Sequence, residues 1–268
     1  MAVGEGEHSG KKRAKAADRE RDRRARSAGP RRLVAATVLL IAGIGGALIG
    51  GQLLLSAVNA ASAQRFLNDW AALGQEPSPA AFAAAEAAAI QAIRFHPGPT
   101  GEGWDRLGRV YDWAHWREPF AEGPLPATAI GPARILEAPL GVAGADSVQA
   151  TRLRALSAHE QAVAERPLWP YGVARLALAR LRAGGTDAEL NELIQAAFRL
   201  GPWRPSVNRR ITEIGLLGWR WLDRDTRDIV LENARRTVRY SRADERWVIE
   251  LAEATGKGLL IETLVLPP

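Results

Sequence analysis

Residues 33–55 read LVAATVLLIAGIGGALIGGQLLL, a run from Leu33 to Leu55 without one charged side chain. At about 1.5 Å of rise per helical residue this stretch reaches ~35 Å, enough to cross a hydrocarbon core of about 30 Å. Thr37 and Gln52 are its polar interruptions, and either can bond within a helix or to a neighbour. The run predicts one membrane-spanning helix over residues 33–57. The rest of the chain is read outward from it.

Residues 1–32, before the span, hold 11 Lys and Arg against 5 Asp and Glu, which accounts for the whole net charge of +6. The other 25 basic and 25 acidic residues cancel. The sequence pI of 10.2 therefore belongs to a tail. Nucleic acid is not an expected partner, because that would need a basic domain face. Basic residues flanking a span stay cytoplasmic, so the tail is expected inside and everything after Arg65 outside. The tail's composition, without apolar periodicity, predicts disorder. Its cations either hold anionic head groups of the lipid bilayer or only set topology.

A signal peptide is the rival to an anchor, since Ala61-Ser62-Ala63 before Gln64 resembles a small-x-small cleavage site. The apolar run is far longer than the ~7–15 residues of a signal h-region, which favours the anchor. Within the span, Gly46 and Gly50 make a GxxxG pair, continued by Gly43, Ala47 and Gly51. Such a face lets two helix backbones approach in lipid and supplies a surface for a homodimer. The chain has no cysteine, so an exported body has to be held by a packed core. Its Ala-, Arg- and Leu-rich composition points to a GC-rich bacterial genome, which makes the membrane the inner one and the exported compartment the periplasm.

Residues 58–268 read as an all-α body. Helices are expected at 60–73, at 80–95, and around Trp104-Asp105-Arg106-Leu107-Gly108-Arg109-Val110-Tyr111. That last stretch has the W-x-x-L-G-x-x-Y form of a tetratricopeptide first helix. An ordinary amphipathic helix with buried aromatics is the other reading. Residues 117–146 are too dense in Pro and Gly for long helices, with one helical turn expected at Ala133–Leu136. Two Pro-x-x-Pro turns, Pro167 to Pro170 and Pro202 to Pro205, lie 35 residues apart. The tetratricopeptide period is close to that, about 34 residues. Thr186 and Glu189 match a capping box. Further helices are expected near 206–222, 225–240 and 243–255, with Gly256 as the stop. The apolar 259–266 reads as a strand or an extended tail.

Catalytic templates fail in turn. His159-Glu160 begins like HExxH, but Val163 stands where the second histidine belongs. Gly256-Lys257 is followed by Gly258 and is no P-loop. Asp112 and His115, three apart, are placed to share a proton, yet they are not a full catalytic set. No catalytic residue, metal site or cofactor site is expected. Binding is the better prospect. Nine tryptophans are many for this length, and Trp113, Trp116, Trp169 and Trp203 near helix ends are candidates for stacking on sugar rings or anchoring a partner. Core filling is the plainer role for most tryptophans. Arg235, Arg239 and Arg242, at spacings of 4 and 3, form a second candidate surface for an anionic polymer or lipid. The plainer reading is a solvated face balanced by acidic neighbours.

The stretches Arg166-Pro167-Leu168-Trp169-Pro170-Tyr171, Leu200-Gly201-Pro202-Trp203-Arg204-Pro205 and Ile214-Gly215-Leu216-Leu217-Gly218-Trp219 resemble the VpsP family of polysaccharide biosynthesis proteins. The likeness covers roughly residues 90–240. It implies a membrane-anchored, tetratricopeptide-like accessory of exopolysaccharide synthesis that is not an enzyme. Its expected partners are polysaccharide synthesis or export proteins. A periplasmic glycan-binding module is the alternative.

Overall fold

The structure is a computed structural model describing residues 6–120, 125, 130–144 and 147–266, with side chains from Leu33 onward except at 143 and 144. Among the described residues it is all-α, with no strand. The chain divides into two compact units, residues 1–52 and 53–268.

Helix α1 runs Gly6–Leu73. The tail is therefore helical from Gly6, where composition predicted disorder. Residues 11–26 are rich in Ala, Arg and Lys, all strong helix formers. Being continuous with an apolar helix, they extend an existing nucleus instead of starting one. From Leu33 the helix is long and apolar enough to cross a membrane, with a mean hydropathy of 2.3 in its most apolar stretch, none of it buried. Leu39, Leu40, Ile41, Leu48 and Leu54 are all more than half exposed. A core helix of a soluble protein would bury such side chains, so α1 contains a candidate membrane span. Thr37 satisfies its hydroxyl on the Leu33 carbonyl at 2.9 Å. Among the described residues, nothing lies within 4 Å of a Cβ added at Gly46 or Gly50.

The body continues through α2 (Pro79–Phe95), α3 (Gly101–Trp113), α4 (Pro132–Glu137), α5 (Gly141–Gly144), α6 (Val148–Glu165), α7 (Pro170–Ala183), α8 (Ala188–Leu200), α9 (Pro205–Gly218), α10 (Arg224–Tyr240), α11 (Arg242–Ala254) and α12 (Gly258–Leu264), with one 3-10 turn at Trp219–Trp221. Local chemistry sets most of these boundaries. Ser78 caps α2 with Pro79 at the first helical position, Thr100 accepts from the Gly103 amide at 3.1 Å, and Asp223 accepts from the Thr226 amide at 2.7 Å. Gly184 and Gly256 take the left-handed conformation that ends α7 and α11. Parts of the Pro/Gly-rich segment, residues 121–124, 126–129 and 145–146, lie outside the described residues.

Three expectations need correction. Thr186 and Glu189 form no capping box. Asp187 is the N-cap of α8, without a side-chain capping bond, and both Asp187 and Glu189 turn to Arg180, at 2.8 and 2.7 Å. A guanidinium outbids a backbone amide for those carboxylates. The 259–266 stretch is helical up to Leu264, where α12 ends, and Ile261 in the helix and Val265 just after it are both buried on one cluster. Finally, Arg242 does not share a helix with Arg235 and Arg239. Ser241 is extended, ends α10, and caps α11 by accepting from the Asp244 amide at 3.0 Å.

Successive helices pack on one another: α2 on α3, α3 along α6, then α6 through α12 in chain order, with α7 also against α9. One core cluster joins Leu67, Trp70, Phe82, Leu107, Tyr111 and Ile135. Another joins Leu181, Leu190, Ile194, Ile211, Ile214 and Val230. Gly215 allows the close approach of α9 and α10, since an added Cβ there would lie 2.2 Å from Val230 Cγ1.

Candidate binding cleft

The site begins at Gly108, in the middle of α3. A Cβ at this position would sit 2.6 Å from the imidazole of His159. Its absence lets α6 lay that ring, wholly buried, against α3. His159 Nε2 then donates to Asp112 Oδ2 at 2.9 Å, and Nδ1 lies 4.0 Å from Asp105 Oδ1. α3 ends at Trp113, and His115 takes a left-handed φ of 56° just beyond it.

Burial works against ionised Asp112. The charge and hydrogen bond of His159, with the charges of Arg182 and Arg210, outweigh it and hold the carboxyl below its ordinary value. A depressed carboxylate stabilises the fold above its unfolded pKa of about 3.9, and that stability is lost as pH falls through the folded value. Acid denaturation of Asp112→Asn should therefore depend less on pH than that of the wild type below about pH 4. Parallel profiles of the two proteins would show that Asp112 carries no such linkage.

Beside this pair lies a cleft of about 360 Å³ walled by α1, α3, α7 and α9. Arg109, Arg175, Arg182 and Arg210 converge on it. Arg175 is bound to Asp105 at 2.5 Å and Arg210 to Glu213 at 2.5 Å. Arg109 and Arg182 hydrogen-bond neutral oxygens, the Gln64 amide and the Asp112 carbonyl, both at 3.2 Å. Burial first, and then the charge of Arg175, hold the Arg109 guanidinium below its ordinary value. Trp113 and Trp116 line the same cleft, edge to face at 5.7 Å. Two buried donors of the cleft, Trp116 Nε1 and Arg182 Nε, have no hydrogen-bond partner among the described residues.

Of the residues singled out from sequence, the structure thus brings Trp113 and Trp116 together at the cleft. Trp169 stands at the start of α7, with the guanidinium groups of Arg166 and Arg175 at 4.1 and 5.5 Å from its ring centroid. Trp203 is 76% exposed and lies under Arg236 at 4.2 Å, away from the cleft lining. Arg235 donates to the Leu264 carbonyl at 3.0 Å, while Arg239 and Arg242 are exposed on their separate helices. Trp219, Trp221 and Trp247 also carry a guanidinium over the ring. Most tryptophans near helix ends are therefore paired with arginine in a structural role.

The four cleft arginines escaped the sequence reading. Arg175 and Arg182, seven apart and so two turns along one helix face, were the available signal. Among the described residues no three acidic or histidine side chains gather as a metal cage. No family model, curated protein or solved structure matches the chain.

Proposed function

We propose that this chain is a single-pass protein of the bacterial inner membrane, with its basic tail in the cytoplasm and its helical body in the periplasm. It serves as a non-enzymatic accessory in assembling exopolysaccharide or envelope polysaccharide. The observation that carries the reading is the exposed apolar stretch of α1, which continues as one helix into a packed body. Ser56, one residue past that stretch, donates to the Ala92 carbonyl of α2 at 2.7 Å and ties the body to the helix at its exit. The VpsP resemblance supports polysaccharide synthesis as the setting.

Mechanistically, anchoring raises the local concentration and fixes the orientation of whatever the body holds, which removes part of the entropy cost of association. Helix pairs starting at Pro170 and Pro205 support a tetratricopeptide-like array, an architecture that offers extended surfaces to partner proteins. Gly46 and Gly50 offer the face for a homodimer. The arginine–tryptophan cleft favours a second activity, direct binding of glycan.

Gene deletion is expected to abolish polymer export or change its amount. Crosslinking in native membranes, from positions beside Trp169 and Trp203, is expected to capture a polysaccharide synthesis or export protein. Unchanged polymer in the deletion strain would refute the reading.

A further inference from the structure

We propose that the cleft between α1, α3, α7 and α9 binds one carboxylate-bearing sugar unit of an acidic saccharide, with Arg109 and Arg182 on the carboxylate and the ring against Trp113 and Trp116. This deepens the glycan-binding reading above and rests on it.

Charge bookkeeping in the cleft identifies the acid group. Two of the four arginines are balanced by carboxylates, Arg175 by Asp105 and Arg210 by Glu213. The Asp112 carboxylate bonds His159. Arg109 and Arg182 hydrogen-bond neutral acceptors, and the four arginines of the cleft face three carboxylates, Asp105, Asp112 and Glu213, so positive charge is in excess there. Guanidinium groups converge in this way at a cost, and an anion relieves it through short, charge-assisted bonds. The unpartnered Nε of Arg182 and Nε1 of Trp116 are buried donors that ligand oxygens would satisfy.

The remaining lining identifies the body of the ligand. Trp113 and Trp116, edge to face, give apolar surface for the C–H face of a pyranose ring, with Arg117 over the Trp116 ring at 5.0 Å. Glu213 and Asp112 accept hydroxyl protons, and they disfavour a phosphate dianion more than a single carboxylate. Asn68, on the α1 wall, adds a neutral donor and acceptor. A volume of about 360 Å³ is near the lower end for small-molecule sites and suits a short saccharide.

The bilayer's own anionic head groups are the competing source of charge. Phosphatidylglycerol vesicles in the test distinguish that source from a saccharide.

The test uses the full chain in detergent micelles, with calorimetry and tryptophan fluorescence. The ligands are a hexuronate trisaccharide, its carboxyl-reduced neutral counterpart, inorganic phosphate and phosphatidylglycerol vesicles. The uronide is expected to bind, to weaken with salt, and to lose about tenfold in affinity on carboxyl reduction. Arg109→Gln and Arg182→Gln are each expected to lose about tenfold. Trp116→Phe keeps an aromatic plate and deletes the buried donor, so it should bind several-fold more weakly with an unchanged circular dichroism spectrum. Equal binding of the neutral sugar, tighter binding of phosphate or vesicles, unaltered affinity in Trp116→Phe, or no uronide binding would each overturn the proposal. The deletion strain separates the two readings. Lost polymer without uronide binding sinks this inference alone, and uronide binding with normal polymer sinks the proposed function alone.

Discussion

Glu86→Ala is expected to lower the melting temperature of the body by roughly 6–12 °C. Glu86 lies in the alanine-rich α2, is almost wholly buried, and accepts three hydrogen bonds: Tyr111 Oη at 2.8 Å, the Leu140 amide at 2.8 Å and the Gly141 amide at 2.7 Å. One carboxylate thus ties α2 to α3 and to the chain entering α5. It also shapes Tyr111, whose hydroxyl is pushed far above its ordinary pKa by burial first and then by the Glu86 charge. Removing the acceptor strands three donors at about 1–3 kcal/mol each, partly relieved where water reaches the amides, for a total near 3 kcal/mol. Each kcal/mol is worth about 2–4 °C in a body of this size. Glu86→Gln keeps one acceptor oxygen and should fall between the two. Faster proteolytic cleavage near residue 140 should accompany the loss. A melting temperature within a degree or two of wild type would show that this network is not a fastening.

The second large effect is expected in the apolar stretch. The double substitution Ile44→Asp with Leu48→Asp should move the chain out of the membrane fraction. Residues 33–55 contain twelve Leu, Ile and Val side chains, worth about 0.3–0.6 kcal/mol each on the insertion scale, or roughly 4–7 kcal/mol together. Each aspartate at the helix centre costs about 2.5–3.5 kcal/mol and removes one favourable residue. Two therefore cancel the driving force. Aspartate is short, so it does not reach the interface as lysine or arginine would. Partitioning identical to wild type would mean that this stretch does not enter lipid as a span.

Turn chemistry was the legible part of the chain. Pro79, Pro170 and Pro205 each stand at the first position of a helix, and Gly184 and Gly256 end theirs, because these residues act through local backbone geometry alone. Side chains free to choose a distant partner were not legible. Glu189 looked like a capping residue until Arg180, on the preceding helix, took it. His159, the partner Asp112 has across Gly108, is 47 residues away in sequence and gave no sign there. The cleft was concealed by summation. A body with equal numbers of acidic and basic residues reads as neutral, while folding gathers four arginines from α3, α7 and α9 around one cleft and leaves two hydrogen-bonded to neutral oxygens. The helical tail shows the opposite limit, since its composition describes solubility well but misses the propagation of a neighbouring helix.

Alkaline extraction of native membranes, followed by N-terminal sequencing of the retained chain, tests the anchored body most directly. The intact chain should stay in the extracted membrane pellet, with its basic tail protected and its body cut when spheroplasts are treated with protease. A soluble product beginning at Gln64 would contradict the account.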